Sequence, residues 1–327
     1  MRILVLGGTV FLGRAVARAA LAAGHDVTCV ARGASGEPVE GARFVAADRS
    51  DPAGLAGLDG DFDAVVDVAR TPRHVRHAVH ALAGRVGHVS YVSTISVYAD
   101  TATPGQRATT SPLVAPAGPE LDDTTDPEAY AAAKMACELL WTDGFGVGDV
   151  FVCRAGLLIG PEDPVGRFEY WLRRARRGGE ILVPGTPDDL VQVVDARDLA
   201  GWIVQAAEDG LVGPYDGTGA AVTRREFMRA LVGDGATLTY VPQEFLLAHQ
   251  VAPWHGPRSL PVWLPEPDYA GVLSRDVTPS LAAGLRTRPL TETVKDTQSW
   301  LDAGGAGEPM GLTGEEEAEI LRAWHSR

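Results

Sequence analysis

Arg2-Ile-Leu-Val-Leu-Gly7-Gly-Thr-Val-Phe-Leu-Gly13 opens the chain and decides its reading: a short apolar run, a glycine turn, then the alanine-rich segment Arg14–Gly24. The apolar run reads as a strand buried on both faces, and the alanine-rich segment favours helix. Strand, glycine turn and helix in that order make a phosphate-binding turn credible. Gly7 permits the tight turn, and Gly13 lets the helix approach the strand. The N–H groups of the first helical turn then face a pyrophosphate. Gly7, Thr9, Val10, Phe11, Leu12 and Gly13 are the expected contacts.

Outward from this stretch the pattern repeats. Strands are expected at Arg2–Leu6, Asp26–Ala31 and residues 42–45, 64–68, 88–93 and 150–154, with a helix over residues 72–83. Repeated β-α units predict a doubly wound parallel sheet of the α/β class, with ligands at the carboxyl ends of its strands. The glycine turn, Ala31-Arg32, Asp48, Ala69-Arg70 and Ser93-Thr94 all fall at such ends. Residues 1–160 are expected to form a Rossmann-type dinucleotide-binding domain. Residues 161–327 form mainly a smaller C-terminal substrate lobe, with the 190–210 strand-helix segment returning to the first unit. The polar, Pro-rich stretch 101–126 reads as a flap over the site. Residues 312–324 read as a terminal helix.

Tyr130 and Lys134 stand four apart in the helical segment Glu128-Ala-Tyr-Ala-Ala-Ala-Lys-Met-Ala-Cys-Glu138. Positions i and i+4 share a helix face. A phenol titrates near pH 10, so the neighbouring ammonium is expected to pull Tyr130 down toward the working range.

Composition narrows the partners. The 327 residues carry a formal net charge of −14, which gains little from counterion release on nucleic acid. The basic cluster Arg173-Arg174-Ala-Arg176-Arg177 reads as a helix C-terminus complementing its dipole. No apolar run approaches the length of a membrane span, and the chain moves straight into a strand without a signal-like leader. The three cysteines, Cys29, Cys137 and Cys153, form no CxxC pair and are expected to be reduced thiols of a cytoplasmic protein. No metal site is expected. Aromatics in irregular segments (Phe168, Trp171, Trp254, Trp263) either line a substrate pocket or cap a core.

With these pieces placed, the chain resembles the short-chain dehydrogenase/reductase superfamily in its extended, NAD-dependent epimerase/dehydratase branch. The resemblance rests on Gly7-Gly-Thr-Val-Phe-Leu-Gly13, Val92-Ser-Thr-Ile-Ser-Val-Tyr98, Tyr130-x-x-x-Lys134, Arg154-Ala-Gly-Leu-Leu-Ile-Gly-Pro161 and Val191-Gln-Val-Val-Asp-Ala-Arg-Asp-Leu-Ala200. It implies an NAD(P)-dependent enzyme with Thr94, Tyr130 and Lys134 as catalytic residues. Thr94 would hydrogen-bond the substrate oxygen, with Ser93 and Ser96 as neighbours able to substitute, and Lys134 would also hold the nicotinamide ribose. Ala69, Arg70 and Ala155 join the expected cofactor contacts, and Asp48-Arg49 matches an adenine-contacting position. Ser96, Phe168, Trp171, Gln192, Trp254 and Trp263 are the expected substrate contacts.

Two departures qualify the match. Val10 stands where the middle glycine of the turn is usual, a change shared with a Gly-Gly-Thr-x-Phe-x-Gly subgroup. The second strand ends in Ala31-Arg32, where NAD binders carry an Asp. Arg32 suits a 2′-phosphate, so NADP is preferred over NAD. The expected reaction is a carbonyl reductase or alcohol dehydrogenase step on a small polar or secondary-metabolite substrate. The alternatives are a nucleotide-sugar epimerase with tightly bound NAD, or a non-catalytic nucleotide-sensing or RNA-binding relative. Expected partners are a small molecule, no nucleic acid and no membrane, in a monomer or homodimer.

Overall fold

The computed structural model describes residues 1–118, 121, 126–233 and 235–327. Six strands come first: β1 (Arg2–Leu6), β2 (Asp26–Ala31), β3 (Arg43–Ala46), β4 (Phe62–Asp67), β5 (Val86–Thr94) and β6 (Val150–Ala155). With the strand Gly213–Gly217 they form one seven-stranded sheet, all parallel, in the order Gly213–Gly217, β6, β5, β4, β1, β2, β3. The chain leaves β1 toward β2 and β3, then crosses to β4 on the other side. That reversal puts the turn after β1 at the topological switch point, where such sheets bind ligands.

Alternation along β1 sorts its side chains to two faces. Ile3 and Val5 pack under α1 (Phe11–Ala22), whose Val16, Ala17 and Ala20 are fully buried. Leu4 and Leu6 face α2 (Pro72–Leu82) and α3 (Pro127–Phe145), through Val75, Ala78, Leu82, Cys137 and Trp141. Burying one such Val or Leu contributes about 1.5–3 kcal/mol, so the sheet is a rigid platform for its carboxyl edge. The glycine turn and Thr94 project from that edge.

A third core holds α4 (Arg167–Arg176) with much of the remainder of the chain. α5 (Ala196–Asp209) packs instead on α1 beside the sheet. Residues 190–195 do not form the continuous strand expected. Leu190–Val191 pairs with Val222–Thr223, and Val194–Asp195 pairs with Leu158–Ile159. Between them the Gln192 side chain turns inward to bond backbone: its amide donates to the carbonyls of Gly219 (3.2 Å) and Arg275 (2.8 Å). Among the described residues no helix is long and apolar enough to cross a membrane.

Candidate active site

The glycine turn has the geometry its sequence implies. Gly7 sits at φ +99°, a conformation side chains disfavour. A Cβ on Gly13 would lie 2.1 Å from the Gly7 carbonyl oxygen, so helix and turn approach through hydrogen alone. Val10 is the N-cap of α1 and supplies no side-chain cap, and the first turn carries no acid. α3, by contrast, begins under the Asp126 carboxylate, which accepts from the N–H groups of Glu128 and Ala129. The first-turn N–H groups of α1 thus meet no carboxylate or hydroxyl of the helix's own cap, as an anion site requires. The Val10 side chain is 40 % exposed, standing out from the turn. These residues fit the pyrophosphate of a dinucleotide.

The neighbouring strand ends divide. Arg32 is exposed at the end of β2, and its charge reaches Asp48. The loop after it packs against the glycine turn: a Cβ on Gly36 would lie 1.9 Å from the Thr9 carbonyl oxygen. Asp48 accepts from the Ser50 N–H (2.9 Å) and hydroxyl (2.8 Å), which hold it below the usual carboxylate range. Arg49, expected among the cofactor contacts, donates through its Nη1 to the fully buried Asp67 at 2.7 Å. A buried carboxylate must be paired, so this guanidinium is committed to the fold. Asp67 also accepts from the Ala69 N–H (2.9 Å) and Trp141 Nε1 (3.2 Å), fixing the exit of β4.

Thr94 ends β5, and its Oγ1 accepts from the Ser96 N–H at 3.2 Å. Tyr130 and Lys134 rise on α3 opposite it. Lys134 is 2 % exposed and reaches down between the strand ends, donating to the carbonyls of Ala69 (2.8 Å) and Val92 (2.5 Å). Its Nζ sits 4.5 Å from the centre of the Tyr91 ring, and burial pushes its pKa down to about 8. Tyr130 departs from expectation. Burial pushes its phenol above the ordinary value, opposed by the Thr94 hydroxyl and the charges of Arg70 and Arg167. The shared helix face brings Tyr130 and Lys134 together, but the ammonium is spent on backbone carbonyls below the phenol. Desolvation therefore outweighs the pull expected of Lys134.

Buried ion pairs that sequence reading missed brace this edge. Arg154 pairs with Glu138 of α3 at 2.8 Å and donates to the Ala108 carbonyl at 2.9 Å. Tyr98 donates to Asp216 at 2.5 Å, and Arg275 pairs with the other Asp216 oxygen at 3.0 Å. Arg275 also donates to Ser111 at 2.9 Å. The described part of the 101–126 stretch is pinned by these bonds and by Val114 N–H to Val97 and Ala117 N–H to Ala132. The stretch expected as a flap is thus held to the body of the protein where it is described; residues 119, 120 and 122–125 lie outside the described residues.

Most of the expected substrate contacts do not reach the cleft. Phe168, Trp171, Gln192 and Trp263 are at most 1 % exposed. Phe168 packs on Phe227, and the Trp171 indole donates to the Pro261 carbonyl. Their apolar area drives them into the lobe's core. Ser96 is exposed beside Thr94, and Trp254 is half-buried beneath the guanidinium of Arg167. Ala155 is buried in the sheet next to Thr94.

Fold and platform together define an extended short-chain dehydrogenase/reductase, an NAD(P)-dependent enzyme. The NAD dependent epimerase/dehydratase family model matches residues 3–215, and the chain belongs to that family. A dTDP-6-deoxy-L-talose 4-dehydrogenase (NAD(P)(+)) from Kitasatospora kifunensis is 30% identical over 264 residues, covering 74% of this chain and 81% of that protein. Among solved structures, the UDP-N-acetylglucosamine 4-epimerase from Bacillus cereus superposes with TM-score 0.65 at 18% identity, over 93% of this chain and 100% of that one. The UDP-glucose 4-epimerase of Thermus thermophilus, in complex with NAD, gives TM-score 0.63 at 20% identity, over 93% and 100% of the two chains. These structures share the fold.

Proposed function

We propose that this protein oxidises or reduces a ring carbon of a nucleotide-linked sugar, interconverting a secondary alcohol and a ketone. The observation that carries the reading is the meeting of Thr94 and Tyr130 at the carboxyl edge of the sheet that also bears the glycine turn. The 30% identical relative, a sugar 4-dehydrogenase, favours a sugar over the small polar or secondary-metabolite substrate expected from the sequence. The glycine turn, the Arg32 loop and Ala69 would hold the dinucleotide. When bound, it supplies or accepts the hydride.

The chain's own residues handle the proton. Tyr130 gives its phenolic proton to the substrate oxygen in reduction and takes it back in oxidation. Thr94 donates to the same oxygen and so polarises the carbonyl. Lys134 fixes the carbonyls of Ala69 and Val92 and keeps a positive charge beneath the site. An epimerase, which would use the same residues and return the hydride to the same carbon, is the second reading. Its support is that named structures sharing the fold act on UDP-sugars.

The test is to incubate the chain with dTDP- and UDP-sugars and free NAD or NADP while following nicotinamide absorbance. Sustained change proportional to sugar supports the dehydrogenase. A new stereoisomer without absorbance change supports the epimerase. No conversion in either assay discards both. For the cofactor, Arg32 at the rim of the turn favours NADP. Arg32→Ala should weaken NADPH binding by about tenfold, with NADH affected far less; equal losses would remove that preference.

A further inference from the structure

We propose that Arg167 and Trp254 form a substrate subsite for an oxyanion, a carboxylate or phosphate, next to the acid–base phenol. The proposal rests on the reading of Tyr130 given above. Arg167 opens α4. The other arginines of that helix, with Arg177 just beyond it, are spent on carboxylates: Arg173 on Glu169, Arg174 and Arg177 on Glu317, and Arg176 on Asp302. Arg167 is the exception. It makes no ion pair among the described residues, and its Nε–H is buried without an acceptor. Asp163, whose charge acts on it most, gives its Oδ1 to the Val165 N–H at 2.9 Å.

A largely buried guanidinium whose Nε–H has no acceptor is costly unless a ligand completes it. Its planar fork matches an oxyanion bidentately. The guanidinium lies over the Trp254 ring, 4.7 Å from its centre, a cation–π contact that holds it in place. Trp254 is itself held at φ +72°, a conformation non-glycine residues rarely adopt, and such strain gathers at ligand sites. The position is also the right one. Arg167 and Tyr130 perturb one another electrostatically, and Arg70 adds a second positive charge near the phenol. In a chain of net charge −14 these two cations both act on the phenol.

The experiment is calorimetric titration of the full chain with UDP, D-glucuronate and D-glucose, alongside titration with the nicotinamide nucleotide. The native chain should bind at least one of the two anions more tightly than glucose. Arg167→Gln and Arg167→Met should each weaken that anion by about tenfold or more, while Arg167→Lys retains part of it. Loss confined to UDP identifies a phosphate, and loss confined to glucuronate a carboxylate. Nucleotide affinity should stay within about twofold. The subsite is overturned if the variants bind both anions as the native chain does, or if the native chain binds neither anion while binding nucleotide. It is also overturned if the variants lose nucleotide affinity in parallel with the anion. A native chain that binds no nucleotide overturns the enzymatic reading instead.

Discussion

Tyr130→Phe should cut turnover by about 10²- to 10⁴-fold, the worth of a positioned proton donor, and leave nucleotide affinity within about twofold. The ring keeps its place on α3, because the substitution removes one oxygen and little volume. Thr94 remains to hydrogen-bond the substrate, but the phenolic proton is gone. Burial holds the native phenol protonated through neutrality. It is therefore ready as an acid for reduction, and must ionise to act as a base. The native oxidation rate should accordingly climb as pH rises above neutral. Steady-state rates in both directions, across pH, check this. Turnover surviving in the Phe variant would remove Tyr130 from the chemistry.

Gly13→Ala should abolish nucleotide binding. The new methyl would sit 2.1 Å from the Gly7 carbonyl oxygen, well inside van der Waals contact. Either α1 tilts away from β1 or the turn opens. Both displace the first-turn N–H groups that would receive the pyrophosphate. Because α1 packs on the sheet and on α5, the shift should also cost about 1–3 kcal/mol of stability, an overpacking penalty. Nucleotide titration and thermal unfolding of the same variant separate the two effects. A variant that binds nucleotide with native affinity would mean that the close approach at Gly13 does not shape the site.

The parts legible in sequence were local. The order of strand, turn and helix fixes where the glycine edge lies, because turn and helix geometry depend on neighbours a few residues apart. The i, i+4 spacing likewise places Tyr130 and Lys134 on one face. It does not say how deep Lys134 reaches, and so missed its commitment to Ala69 and Val92. The buried pairs Arg49–Asp67, Arg154–Glu138 and Arg275–Asp216 join distant segments, which no local pattern reveals. One signal was present and overlooked. Phe168, Trp171 and Leu172 fall at i, i+3 and i+4, the spacing of a core-facing helical stripe. That spacing places two of the aromatics in the lobe's interior and leaves Arg167 at the start of the same helix, over Trp254.

The central claim is that the phenol on α3 and a nucleotide cradled by the first turn meet in one site. A structure of the chain soaked with NAD or NADP tests it directly. The account predicts the pyrophosphate at the start of α1 and the nicotinamide ring beside Thr94, with the Tyr130 hydroxyl within about 3 Å of a ribose hydroxyl. A nucleotide seated elsewhere, or a nicotinamide ring pointing away from Tyr130, would contradict it.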